Sequence, residues 1–189
     1  MQKLLALAGH IDRLNAALGR AAAWCVLFMV VAQFVVVVLR YVFGVGSVWL
    51  QESALYAHAA LILLTAAWTL WAGGHVRVDI FYAGMSERAK ARVDLLGAVF
   101  LLLPFMAALV FFAAPYVGRS WAILERSREV GGLPLIWLLK TLIPLFAALL
   151  ALQGVAQAIR AWSALQSLPP DAPRAVPGMA LPPGARDAA

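Results

Sequence analysis

Four stretches of the chain, residues 21–39, 53–74, 95–118 and 141–159, contain no Asp, Glu, Lys or Arg, and they are 19, 22, 24 and 19 residues long. A helix needs about 20 apolar residues to cross the hydrocarbon core of a bilayer. Lipid offers the backbone no hydrogen-bonding partner, so runs of this kind predict helices and not isolated strands. The pattern therefore predicts an all-α membrane protein with four transmembrane helices, at about 21–43, 50–74, 95–118 and 135–159. Upstream, Leu4, Leu7, Ile11, Leu14 and Leu18 recur at helical spacing, with Lys3, His10, Asp12, Arg13 and Asn15 between them. That periodicity predicts an amphipathic interfacial helix over residues 1–20. A second interfacial helix is expected at about 80–93, where Ile80, Phe81, Met85, Ala89 and Val93 alternate with Glu87, Arg88, Lys90 and Arg92. Residues 21–165 then form one four-helix domain.

Composition supports the same class. The chain is 64% hydrophobic and 13% charged, with a mean hydropathy of +0.87. A soluble domain of 189 residues has too little interior to hide so much apolar side chain. The first run is too long and starts too late to read as a cleaved signal peptide, and three further spans follow it. Residues 166–189 hold six of the ten prolines among alanines and glycines and predict a disordered tail. Pro104, Pro115 and Pro144 lie within spans, where each removes a backbone donor and favours a kink.

Counting basic residues orients the chain. Lys3, Arg13, Arg20, Arg77, Arg88, Lys90, Arg92, Arg160, Arg174 and Arg186 fall on one side, against Arg40, Arg119, Arg126 and Arg128 on the other. The positive-inside rule then places both termini in the cytoplasm. Anionic headgroups account for the net charge of +6, which calls for no nucleic acid. Cys25 is alone, so it forms no intramolecular disulfide and no metal site.

Three polar groups lie nearest the hydrocarbon: Glu52, His58 and Lys140. Ionisable residues at membrane depth are costly and usually face a protein partner or a watery path. On the expected topology Arg40, Glu52 and Lys140 can meet at the outer end as a charge-neutralised cluster. Such a cluster serves as structural pairing or as a proton or cation site; the shallow position of Glu52 favours pairing. His58 and His75 share one span, so they cannot bracket a haem from facing helices. His75, Arg77 and Asp79 mark the inner end of the second span, after Gly73 and Gly74. The sequence contains no P-loop, Ser/His/Asp set or paired metal histidines, and no enzymatic activity or cofactor is expected.

The strings Arg40-Tyr41-Val42-Phe43-Gly44, Trp49 with Glu52, and His75-Val76-Arg77-Val78-Asp79 carry a resemblance. Over about residues 20–165 the chain resembles the small membrane subunit (Q subunit, DctQ-like) of TRAP (tripartite ATP-independent periplasmic) transporters. The stretch from Glu125 to Lys140, with Gly131-Gly132-Leu133-Pro134, resembles a branch labelled for mannitol or chloroaromatic compounds. Gln51 stands where many members have a second acidic residue, and Trp71-Ala72 replaces a basic stretch. The resemblance implies a helper in sodium-driven uptake of an organic acid across the bacterial inner membrane, a secondary active transport. Its partners would be the large TRAP membrane subunit, a transiently bound periplasmic substrate-binding protein and membrane lipids. Arg40, Trp49, Glu52, His75, Arg77, Asp79 and Lys140 become structural or partner-interface candidates. Arg119, Glu125, Arg126, Arg128 and Glu129 become docking candidates for the binding protein. Two alternatives stay open: a self-sufficient small four-helix exporter, and an assembly subunit of another membrane complex.

Overall fold

The computed structural model describes residues 1–76 and 80–168. Arg77, Asp79 and the tail from 169 onward lie outside the described residues. Five α-helices follow one another: α1 (Gln2–Val42), α2 (Val48–Trp71), α3 (Glu87–Leu96), α4 (Leu103–Ala122) and α5 (Ile136–Ser167). A π-helical segment, Gly97–Leu102, joins α3 to α4 without a break. Four helices, counting Glu87–Ala122 as one, are long and apolar enough to cross a membrane.

The expected interfacial helix over residues 1–20 is the first half of α1 and has no joint with the span that follows. Its inward face also differs from the leucine stripe. Ala8, Ile11, Asn15, Ala16 and Gly19 are buried, while Leu4, Leu7 and Leu14 stay exposed. At 100° per residue the buried face is rotated by about 80° from the leucines. Small residues account for the offset, because they let backbones approach closely where leucines would hold them apart. A Cβ on Gly19 would lie 2.9 Å from the Trp68 side chain of α2.

The second expected interfacial helix, where it is helical, runs on into the helix that follows. Residues 80–85 are turns, Ser86 caps α3 by accepting from the Ala89 N–H (3.3 Å), and the helix then runs on to Ala122. Pro104 explains the π segment ahead of α4. Its ring removes one donor and crowds the carbonyl of Phe100, and the wider turn leaves room for that missing bond.

At the other end, α5 continues past the expected boundary at 159 to Ser167. It is also the centre of the fold. Helices α1, α2, α3 and α4 all rest on it, and α1 also packs along α2, but α2 and α4 do not approach each other. The core around α5 gathers Ala67, Met106, Ala147, Leu149 and Leu150. A Cβ on Gly154 would sit 2.7 Å from Leu102, so glycine here lets the π segment close onto α5. Even so, the most apolar window of each span is only 6–33% buried within the chain. Most of the apolar surface therefore faces outward.

Candidate functional site

The polar site gathers where the α4–α5 loop folds back over the first turns of α2. Helix α4 ends in a reversal at Leu124, whose φ is +44°, with Leu124 N–H bonded to Trp121 O (3.1 Å) and Glu125 N–H to Ser120 O (3.0 Å). This pair of bonds is the usual helix-ending motif, which normally places glycine at the left-handed position. The reversal aims Glu125 at α5, where its carboxylate pairs with the Lys140 ammonium. That ammonium also lies 4.0 Å from the centre of the Tyr116 ring, a cation–π contact from α4. The hydrogen bond from Lys140 holds the Glu125 carboxyl below its ordinary value.

Glu52 does a separate task. One carboxylate oxygen accepts from the Ser127 hydroxyl, and the other accepts from the Leu133 N–H at 2.6 Å. Gly132 lies against this carboxylate, since a Cβ there would be 2.9 Å from Glu52 Oε1 and 2.6 Å from Ser127 Cβ. The loop is therefore pinned at its start by Lys140 and at its middle by Glu52. Two rings brace the same end: Trp121 and Trp137 stand edge to face with centres 4.4 Å apart, and Trp121 donates to Thr141 at 2.8 Å.

This arrangement corrects the expected cluster of Arg40, Glu52 and Lys140. Lys140 pairs with Glu125, Glu52 with the loop, and Arg40 is exposed on the last turn of α1 and in none of the ion pairs among the described residues. The physical reason is proximity through the chain: the reversal at Leu124 delivers a carboxylate to Lys140 before α2 can. Trp49 is exposed at the start of α2, and His58 is exposed further along it. His75 folds back after the glycine turn so that its Nε2 lies 3.3 Å from Ala66 O. Of the docking candidates, Arg119, Arg126, Arg128 and Glu129 are exposed, whereas Glu125 is half-buried in its ion pair.

A second polar cluster ties α1 to α5 at the opposite end. Asn15 donates to Gln153 (2.7 Å), Gln153 donates to Asp12 (3.0 Å), and Asp12 pairs with Arg160. Asn15 and Gln153 are both 1% exposed. The pattern of charges contains Asp12 and Arg160 but does not reveal their link through Gln153, which stands inside an uncharged run. Its one signal was a neutral amide among apolar neighbours, which in lipid has to find a partner.

Four membrane-length helices, three of them packed on α5, define a multi-pass helical membrane protein. A family model described as "Tripartite ATP-independent periplasmic transporters, DctQ component" matches residues 13–164. The chain belongs to this family, so it is a component of a TRAP transporter and works with other subunits. Comparison with curated proteins and with solved structures returned no match.

Proposed function

We propose that the chain is the small permease subunit that braces the large membrane subunit and helps dock the periplasmic binding protein during sodium-driven uptake of an organic acid. It sits on this reading in the bacterial inner membrane with both termini in the cytoplasm, as the bias of its basic residues favours. The observation that carries the proposal is the outward-facing apolar surface: no span buries more than 33% of its most apolar window inside the chain. Such a bundle is suited to widening a scaffold. Glu52 and Lys140, two of the three polar groups nearest the hydrocarbon, are engaged in holding one loop, which supports bracing over ion translocation; the third, His58, is exposed on α2. That loop end also presents Arg119, Arg126, Arg128 and Glu129 to solvent, where a soluble partner can reach them.

The test is purification of the tagged chain from its native membrane in mild detergent. Recovery of a large multi-span partner in equal amount supports the subunit reading; solute movement by the chain alone in liposomes refutes it. Charge reversal at Arg126 and Arg128 should lower uptake and leave that membrane complex intact. Unchanged uptake would remove the docking assignment.

A further inference from the structure

Helix α2 exposes Trp49 at its start and then only Leu55, His58 and Ile62. These three follow at intervals of three and four, within about 60° of one another around the axis, and so form one narrow seam. Such spacing fits a single neighbouring helix. His58 stands in the middle of the seam. It lies about 15 Å from the Val48 end of α2 and about 20 Å from the Trp71 end, close to mid-span. Its ring takes part in no hydrogen bond or ion pair among the described residues. Polar groups bordering the same side of α2 are engaged toward its outer end: Lys140 pairs with Glu125, and Ser127 donates to Glu52.

On the subunit reading proposed above, we infer that the seam of Leu55, His58 and Ile62 packs against one transmembrane helix of the large subunit, which presents a hydroxyl or carboxamide side chain to the His58 ring. Lipid does not meet the need of this ring. Acyl chains neither donate nor accept hydrogen bonds, and the headgroups lie about half a hydrocarbon thickness away, roughly 15 Å. A hydroxyl or carboxamide both donates and accepts, so it satisfies either ring nitrogen. Side chains of this kind hold membrane helices together, and a polar group within an apolar seam fixes the register. A watery path fits poorly, because Ile62 and Leu63 follow His58 inward and the next hydroxyl, on Thr65, is bonded to Leu61 O at 2.7 Å. Gln33 of α1 is also exposed and unbonded among the described residues, but Phe34 and Val35 beside it are exposed as well, so no narrow seam is marked there.

The experiment reads the assembled complex in native membranes. Benzoylphenylalanine in place of Leu55 or Ile62 should photo-cross-link to the large subunit, and both positions should map to the same transmembrane segment of it. His58→Leu should lower the amount of large subunit recovered with the tagged chain in mild detergent by about threefold to tenfold. His58→Gln should restore most of it, because a carboxamide still hydrogen-bonds. The amount of the chain itself in the membrane should stay the same in both variants, since the ring bonds nothing within the chain. Adducts to lipid alone, adducts to a second copy of this chain, or undiminished recovery with His58→Leu would each overturn the seam assignment and leave the subunit reading standing. Absence of any large partner from the wild-type preparation would end both.

Discussion

Removing the hold of Glu52 on the α4–α5 loop should loosen that loop before it unfolds the bundle. Glu52 accepts two hydrogen bonds, from the Ser127 hydroxyl and the Leu133 N–H, and Leu133 is 7% exposed. Hydrogen bonds to charged groups contribute about 1.5–3 kcal/mol each, and neutral ones about 0.5–1.5. Glu52→Gln keeps one acceptor for the Leu133 N–H while its amide can donate to Ser127, so it should cost about 1–2 kcal/mol. Glu52→Ala leaves a buried N–H without a partner and should cost about 3 kcal/mol. Gly132→Ala reaches the same loop from the other side. Its Cβ would press on Ser127 and on the carboxylate, at 2.6 and 2.9 Å, an overpacking of about 1–3 kcal/mol. At roughly 2–4 °C per kcal/mol for a chain of this size, melting in detergent should separate the three variants from the wild type. Limited trypsin cleavage at Arg126 and Arg128 reads the loop itself, and its rate should rise in the order wild type, Glu52→Gln, Glu52→Ala. If cleavage rates stayed equal across all three variants, Glu52 would not be what holds the loop, and its role at the α2 end would have to be sought in a partner.

Three further outcomes are expected. The Glu125 carboxyl is held low by Lys140, so the pair contributes above the ordinary carboxylate range and is lost as pH falls through the depressed value. Melting temperature should therefore be insensitive to this pair from pH 7 down to about 5 and fall below about 4, a loss that Lys140→Gln removes. Gln153→Leu should cost about 2 kcal/mol, since it strips the buried Asn15 amide and Asp12 of a partner each; chemical denaturation in micelles checks this. Leu124→Gly should raise stability by about 0.5–1 kcal/mol, because an L-residue in the left-handed region costs about 1–2 kcal/mol and glycine returns part of that as entropy. A loss of uptake in that variant, with stability gained, would point to contact between the Leu124 side chain and a partner.

The spans were legible from the sequence because lipid imposes one rule, an unbroken apolar length, and residues 21–39 or 95–118 satisfy it locally. The family was legible from short strings such as Arg40 to Gly44. What escaped depends on contacts between distant residues. The partner of Lys140 is set by one left-handed residue, Leu124, and no periodicity announces a reversal at leucine. The inward face of α1 is set by Gly19 meeting Trp68, so the leucine stripe pointed the wrong way by most of a quarter turn. The segment expected as an interfacial helix at 80–93 carries amphipathic spacing, yet Ser86 starts a helix that the π segment carries straight through to Ala122.

Helix α1 has 41 residues and a length of about 60 Å, twice the thickness of the hydrocarbon it crosses. Without a joint, it behaves as a stiff spar. The clasp from Asp12 and Asn15 to Gln153 and Arg160 sets its height against α5, so the membrane does not choose how far the spar projects. A bilayer that thins or thickens would therefore tip α1 and α5 as one frame. Whatever grips the spar near Met1 also moves Arg40 at the far side.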